Sequence, residues 1–209
     1  MQLRIRKLIA WILFLGATAV LCAALAAWQY PSKAMEAYNF IRPKLIVGGG
    51  KQCLQNLESR GVEFQPLNEF GQGRCLVKTP VSISKFTETE LSSPVVMNCR
   101  FATKVDDWLM DIGAEKVEHF GTYNCRNIAG SGILSEHSFG TAIDISAIDG
   151  ASILKNWDDQ TSGGQSLRDA ARKACKYFVN VLTPESNAAH ADHLHLDTGI
   201  GFCADKLRL

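Results

Sequence analysis

The spacing of apolar residues predicts a short helix and two long helices after residue 50. Residues 52–60 form the short candidate, which Gly61 ends. From Ser93 to Gly113, apolar side chains recur every three or four positions, and Ser93-Pro94 suits a helix N-terminus. A second stripe of this kind begins at Ser166, the expected N-cap, and runs to Leu182.

Alternation with a period of two predicts strands elsewhere in this region. Asp149-Gly150, a pair typical of hairpin turns, separates the strand candidates Ile143–Ile148 and Ala151–Leu154. Residues 116–123 and 193–197 are further candidates. Two main helices that cover such strands predict an α+β fold with an antiparallel sheet.

The first residues of the chain follow a different pattern. Arg4, Arg6 and Lys7 precede an uncharged apolar run from Leu8 to Trp28, and roughly 20 such residues suffice to cross a bilayer as a helix. The preceding cations predict that the N-terminus stays in the cytoplasm. A cleaved secretory signal is the alternative, with Ala24-Leu25-Ala26 as its cleavage site.

These patterns divide the chain into three parts. Residues 1–30 are the predicted cytoplasmic tip and transmembrane or signal segment, residues 31–50 are a linker that ends in three glycines, and residues 51–209 are the folded domain. We therefore expect the domain at the periplasmic face of the inner membrane, or free in the periplasm if the segment is cleaved.

Composition and charge narrow the possible functions. The chain has 209 residues, 46% of them hydrophobic, which is enough for one sizeable core. A formal net charge of +1 gives no electrostatic basis for binding nucleic acid. Apart from Cys22, the cysteines form an even set, which in an exported domain predicts three disulfide bonds. The sequence does not determine which cysteines pair, and buried free thiols are the alternative. These cysteines are Cys53, Cys75, Cys99, Cys125, Cys175 and Cys203.

Two segments that contain histidine carry the candidate chemistry. His193 and His195 alternate with leucines, so on a strand both imidazoles point to one face. Asp144 lies in another predicted strand, and Gly140 permits a turn between that strand and His137. Pairing the strands would bring His137, Asp144 and His195 together. Two imidazoles and one carboxylate, with a coordination position left open, are typical of a catalytic zinc site.

A family resemblance agrees with this interpretation. The motif Ser-x-His-x-x-Gly-x-Ala-x-Asp at residues 135–144, followed by His-x-His at 193–195, resembles the zinc peptidases that cleave D-amino-acid bonds in peptidoglycan. These peptidases include the D-Ala-D-Ala carboxypeptidases and the penicillin-insensitive murein endopeptidase. The resemblance implies one Zn²⁺ ion held by His137, Asp144 and His195.

The exported part as a whole, from about Cys53 to Asp197, resembles the bacterial extensin-like C-terminal domain proteins. The name of that family establishes no function, so the expected activity comes from the zinc peptidases. The segments that match the extensin-like proteins include Tyr123–Arg126, Ser135–His137, Ala174–Phe178, Val181–Pro184 and His190–His193.

The sequence offers three candidates for the general base. The carboxypeptidases carry a glutamate three residues before the last ligand, where this chain has the shorter Asp192. His193 is the preferred candidate, as in the endopeptidase pattern, ahead of Asp192 and His190. A base must lie within about 3 Å of the proton it takes or reach it through one water molecule.

Two further charged residues each have two alternative roles. Arg126 precedes the first motif, where related enzymes often hold an arginine for a substrate carboxylate or a developing oxyanion, and a structural ion pair is the alternative. Asp197 shares a strand face with His195 and is either an orienting partner of that imidazole or an ordinary surface carboxylate.

We therefore predict a zinc-dependent peptidase that acts on peptidoglycan stem peptides or cross-links. The alternative is a cell-envelope protein that keeps a zinc site for binding or structure without hydrolysis. A fourth protein ligand, such as His193, would close the site and favour that alternative, because structural zinc sites usually have four protein ligands.

Overall fold

The structure is a computed structural model that describes residues 2–29, 31–71, 73–201 and 203. These residues form six α-helices, eight strands and two 3₁₀ turns, at Glu136–Phe139 and Ala188–His190. The helices are α1 (Gln2–Gln29), α2 (Pro31–Leu45), α3 (Gly50–Ser59), α4 (Cys99–Ile112), α5 (Ile153–Asn156) and α6 (Ser162–Ala174). The strands are β1 (Glu63–Pro66), β2 (Pro80–Lys85), β3 (Glu90–Asn98), β4 (Lys116–Gly121), β5 (Ala142–Ile148), β6 (Ala151–Ser152), β7 (Asn180–Leu182) and β8 (Leu194–Asp197).

The strands form one sheet in the order β1-β2-β3-β4-β5-β8-β7, with β6 paired to β5. The fold is α+β, but the prediction of an antiparallel sheet is wrong, because β3 and β4 run parallel with Glu90 opposite Lys116. Helix α4 connects these two strands and returns the chain to the end of the sheet where β3 began, so β4 runs in the same direction. The alternation within a single strand carries no information about this direction.

The prediction of two main helices is also wrong, because the described residues contain six. The two helices expected from the apolar spacing are α4 and α6, and they pack against each other. Trp108 of α4 is fully buried, and its Nε1 donates a hydrogen bond to the carbonyl of Ala170 in α6 at 3.0 Å. Their apolar faces and that of the sheet share one core, to which α3 adds Leu57.

Helix α4 begins later than its apolar spacing predicts. Ser93 and Pro94 lie within β3, which pairs with β2 as far as Asn98. The Asn98 side chain is the true N-cap, since its oxygen accepts a hydrogen bond from the Phe101 N–H at 3.1 Å. The β-branched and apolar residues before Asn98 suit a strand and a helix face equally, so spacing alone did not separate the two elements.

Helix α6 begins and ends earlier than its spacing predicts. The turn of the predicted hairpin is confirmed, but its second strand, predicted over Ala151–Leu154, is shorter because α5 begins at Ile153. Thr161 rather than Ser166 caps the helix. Leu182, which the spacing assigned to the helix, lies in β7 opposite His195. Backbone pairing with β8 therefore overrode the helical spacing at this end. Asp149-Gly150 forms the turn between β5 and β6, and both residues have positive φ.

The three predicted disulfide bonds are confirmed, and the structure supplies their pairing. Cys53–Cys99 joins α3 to the first turn of α4. Cys75–Cys125 joins the segment before β2 to the segment before the first histidine motif. Cys175–Cys203 joins the end of α6 to the C-terminal segment. Cys22 is free and exposed.

The range expected to be a linker contains a helix that packs on the domain. α2 covers most of residues 31–50, and two of its polar side chains are buried, Asn39 at 3% and Arg42 at 8% exposure. The spacing of polar residues did not reveal this packing because the partners of these side chains are themselves polar.

The prediction of a transmembrane segment is wrong. The apolar run does form a helix, α1, but none of the helices in the described residues is long and apolar enough to cross a membrane. The prediction rested on the uncharged, apolar run from Leu8 to Trp28.

Replacing Cys53 and Cys99 together by alanine should lower the free energy of unfolding by about 2–5 kcal/mol, because the bridge closes a long loop across 46 residues. Urea denaturation followed by circular dichroism measures the change. Cys22→Ala is the matched control and should leave the midpoint unchanged. An unchanged midpoint in the double variant would contradict this pairing.

Candidate metal centre

Two adjacent strands place Asp144 and His195 side by side. β5 and β8 are antiparallel, and Asp144 is directly opposite His195 in their register. The neighbouring residues Ile143 and Leu194 point to the other face and are fully buried. Opposite residues on one face of a sheet have Cβ atoms about 4.5–5.5 Å apart, so the carboxylate and the imidazole come into contact.

The third predicted ligand, His137, comes from the 3₁₀ turn Glu136–Phe139. Ser135 caps the turn, and its hydroxyl oxygen accepts a hydrogen bond from the His137 N–H at 3.4 Å. Gly140 ends the turn with φ of 63°, a conformation that favours glycine. A Cβ atom on Gly140 would lie 3.0 Å from the backbone nitrogen of Asn98, so the turn is held against the end of β3. From this position the imidazole of His137 reaches the carboxylate and imidazole on the two strands.

The ligand atoms of the three residues converge on one point. His137 Nε2 is 3.2 Å from Asp144 Oδ2 and 3.2 Å from His195 Nδ1, and His195 Nδ1 is 2.8 Å from Asp144 Oδ1. Atoms bound at about 2.0–2.1 Å to a tetrahedral zinc ion lie roughly 3.3 Å apart. The spacing therefore suits a small metal ion.

The outward nitrogen of each imidazole has a hydrogen-bond acceptor. His137 Nδ1 donates to the backbone carbonyl of Thr122 at 2.5 Å, and His195 Nε2 donates to Asp197 Oδ2 at 2.8 Å. Asp197 is buried, and its other oxygen accepts a hydrogen bond from the Asn180 side chain at 2.7 Å. Asp197 thus orients the imidazole of His195, which decides between the two roles left open by the sequence.

These outward hydrogen bonds determine what the inward atoms can offer. Because a carbonyl or a carboxylate only accepts, the neutral imidazoles carry their protons on His137 Nδ1 and His195 Nε2. The inward nitrogens and the Asp144 carboxylate then present lone pairs to the same point. Groups of this kind repel one another unless a cation, either a proton or a metal ion, lies between them. The donor set therefore fits a metal ion.

The cation between these inward atoms can be a proton, and the pKa values of the cluster describe that case. Burial lowers the pKa of His195, but hydrogen bonds with Asp144 and Asp197 outweigh it and raise the pKa to about 9. Burial raises the pKa of Asp144, but hydrogen bonds with His137 and His195 hold the pKa well below its usual range. Asp144 is consequently ionised at neutral pH, as a metal ligand must be.

His193 lies beside the cluster, and Asp192 contacts it. His193 Nδ1 is 2.8 Å from Asp192 Oδ1, and its Nε2 is 3.6 Å from Asp144 Oδ1. Since the Asp192 carboxylate accepts, the neutral ring of His193 has its proton on Nδ1 and an acceptor at Nε2, the nitrogen nearer the cluster. Of the three base candidates, His193 faces the cluster through Nε2, and Asp192 is placed to orient His193.

His190 and Arg126 lie around the same centre. The ring of His190 is 5.1 Å from that of His193 and 5.7 Å from that of His195. Burial, followed by the two neighbouring imidazoles, lowers the pKa of His190 to about 4, so its ring is neutral at neutral pH. Arg126 is exposed, and its guanidinium donates to the carbonyl of Asn127 but forms no ion pair with any described residue. The structural ion pair considered for Arg126 is therefore not found within these residues.

The cluster opens into a cavity of about 570 Å³, a volume typical of sites for small molecules. Its lining includes His193, His190 and Arg126, together with Tyr38 of α2. The sequence did not reveal Tyr38 as a site residue because it lies in the range expected to be a linker. The contact from the Thr122 carbonyl was equally hidden, since any residue type supplies a backbone carbonyl.

The comparisons with known proteins identify the family and leave the activity open. The family described as Extensin-like protein C-terminus matches residues 51–204, a range that contains His137, Asp144, His193 and His195. No match was found among curated proteins or among solved structures. The matched range covers well over half of the chain, and the protein therefore belongs to the extensin-like C-terminal domain family.

Proposed function

We propose that this protein is a zinc-dependent hydrolase that cleaves peptide bonds in peptidoglycan stem peptides or cross-links. The observation that carries the proposal is the convergence of His137, Asp144 and His195 beside a cavity, with both imidazoles oriented from outside. The motif resemblance to peptidoglycan peptidases supplies the substrate class.

In this proposal His137 Nε2, His195 Nδ1 and a carboxylate oxygen of Asp144 hold the ion. When bound, Zn²⁺ supplies Lewis acidity toward a carbonyl oxygen and activates water as a nucleophile. The chain keeps the two imidazoles in the tautomers that can bind a metal, because the Thr122 carbonyl and the Asp197 carboxylate accept hydrogen bonds from the N–H groups on the opposite side of each ring.

His193 is the proposed general base. Its Nδ1–H donates to Asp192, so Nε2 is free to accept a proton from the attacking water and later to deliver it to the leaving amine. Asp192 stabilises the imidazolium that forms between these steps, as a buried or partly buried carboxylate does for a catalytic histidine elsewhere. Arg126, at the wall of the cavity, is placed to bind a substrate carboxylate or the developing negative charge.

One observation favours hydrolysis over a purely structural metal site. Within the described residues, the group that could hold a metal consists of His137, Asp144 and His195. His193 is outside this group, and its Nδ1 is hydrogen-bonded to Asp192. A site with three protein ligands keeps a position for water or substrate, whereas four would close it.

The three disulfide bonds support an exported location for the domain. Disulfides form and persist in oxidising compartments such as the periplasm and are rare in the cytoplasm. We therefore place the protein outside the cytoplasm, in the compartment that contains its proposed substrate.

The metal site is tested by measuring bound zinc. Purified protein should retain roughly one zinc ion per chain, and His195→Ala should lose it because only two ligands remain. Metal analysis after gel filtration measures the content. His119→Ala is the control, since His119 Nε2 contacts the Ser93 carbonyl instead of the cluster. Equal zinc content in His195→Ala and the parent protein would exclude His195 as a ligand.

The role of His193 is tested by separating turnover from metal content. His193→Ala should slow cleavage of defined muropeptides by about 10²- to 10⁴-fold, the usual contribution of a general base, and should still bind zinc. Asp192→Asn should cause a smaller loss than His193→Ala, because it removes orientation and leaves the base in place. Liquid chromatography with mass spectrometry measures the products, with a chelator as the blank. Full activity in His193→Ala would refute this assignment.

A further inference from the structure

We propose that helix α2, which precedes the family-matched residues 51–204, contributes functional residues to the metal centre. Arg42 is a positioning residue that acts on His137 through Glu136, and Tyr38 forms a wall of the substrate cavity. The part that concerns Tyr38 rests on the proposed function, because it assumes a peptide substrate.

The first step is the ion pair between Arg42 and Glu136. Arg42 Nε donates to Glu136 Oε1 at 2.7 Å, and Arg42 Nη2 donates to Glu136 Oε2 at 2.6 Å. Both residues are buried, at 8% and 6% exposure. A bidentate pair of this kind fixes both the position of the carboxylate and the orientation of its plane. Removing one partner leaves the other charge buried and unpaired.

The second step leads from Glu136 to the ligands. Glu136 directly precedes His137 in the 3₁₀ turn, and its Oε2 also accepts a hydrogen bond from the Thr141 hydroxyl at 2.6 Å, just before β5 begins. Arg42 Nη2 also donates to the carbonyl of Thr198 at 3.0 Å, just after β8 ends. Arg42 and Glu136 therefore join the three segments of chain that carry the metal ligands.

The close fit around this carboxylate also restricts Gly199. A Cβ atom on Gly199 would lie 2.8 Å from Glu136 Cγ, so a glycine is needed for the approach. The turn that carries His137 is thus packed against the end of β8, with the guanidinium of Arg42 bound to both.

The third step concerns Tyr38, one turn before Arg42 on the same face of α2. Its hydroxyl donates to Glu136 Oε1 at 3.1 Å, and its side chain lines the cavity beside the metal cluster. Burial and the Glu136 carboxylate raise the pKa of Tyr38, so the phenol stays protonated and keeps donating at neutral pH. The aromatic ring gives the cavity an amphipathic wall suited to a peptide.

Asn39 fixes the same helix to the loop that precedes the ligand turn. Its Nδ2 donates to the Gly132 carbonyl at 2.6 Å, and its Oδ1 accepts from the Leu134 N–H at 2.8 Å. This loop follows Arg126 and leads into the ligand turn. By contrast, the neighbouring Ile41 is 49% exposed on the outer face of α2, which makes Ile41→Ala a matched control.

Zinc affinity, measured by competition with a chromophoric chelator on the full-length chain, tests the role of Arg42. Arg42→Met should weaken zinc binding by about 10- to 100-fold, the usual effect of removing a partner that orients a ligand. Arg42→Lys, which keeps the charge but loses the bidentate geometry, should fall between Arg42→Met and the parent protein. The absorption bands of bound Co²⁺ should change in Arg42→Met and stay unchanged in Ile41→Ala. Near-ultraviolet circular dichroism checks folding, and Arg42→Lys replaces Arg42→Met if the latter does not fold.

Steady-state kinetics on a defined muropeptide test the role of Tyr38. Tyr38→Ala should raise KM roughly 3- to 10-fold, the scale of one lost aromatic contact, with little change in kcat or zinc affinity. Tyr38→Phe should retain most of the binding. If the parent protein binds zinc and cleaves the substrate, but Arg42→Met keeps full zinc affinity and Tyr38→Ala keeps its KM, the inference about α2 is wrong and the proposed function stands. A parent protein that binds no zinc overturns both.

Discussion

The direct pairing of Asp144 with His195 across β5 and β8 is the constraint on which the site depends. A carboxylate and an imidazole lie on one face of two adjacent strands, while Ile143 and Leu194 anchor the other face in the core. A shift of one residue in this register would exchange the two faces and destroy the cluster. The core that fixes the register therefore also fixes the distance between the Asp144 carboxylate and the His195 imidazole. His137 completes the cluster from a turn whose conformation is set by Gly140 and by contact with β3.

Hydrogen-bond partners outside the cluster determine which atoms of the imidazoles face its centre. Two buried acceptors, the Thr122 carbonyl and Asp197, determine which nitrogen of each imidazole faces inward. The inward atoms are then acceptors only, a combination that is unfavourable without a cation and well suited to one. His193 and Asp192 repeat this arrangement next to the cluster, with a carboxylate that orients an imidazole. In our proposal, hydrogen-bond acceptors outside the cluster thus orient two metal ligands and one base.

The parts of this structure that follow local rules could be predicted from the sequence. Alternation located β5 and β8, the Asp149-Gly150 pair located a hairpin, and the short spacing within each motif brought His137, Asp144 and His195 together. Features set by partners distant in sequence could not be found in this way. Pro94 lies in a strand because β2 pairs with the residues on either side of it, from Glu90 to Asn98. Leu182 leaves the helical pattern because β8 pairs with it. The parallel pair of β3 and β4 follows from the path of α4. Tyr38 and Arg42 were missed because their partners are polar residues about 100 positions away, beyond the reach of any periodicity.

The most direct test of the metal centre is X-ray absorption spectroscopy at the zinc edge of the reconstituted full-length chain. Two imidazole nitrogens and oxygen ligands should surround the ion at about 2.0–2.1 Å, with no sulfur neighbour. This result would match a site made by His137, Asp144 and His195 with one position left for solvent. A shell of three or more imidazoles, which would include His193 or His190, would contradict the account, and so would a chain that retains no zinc.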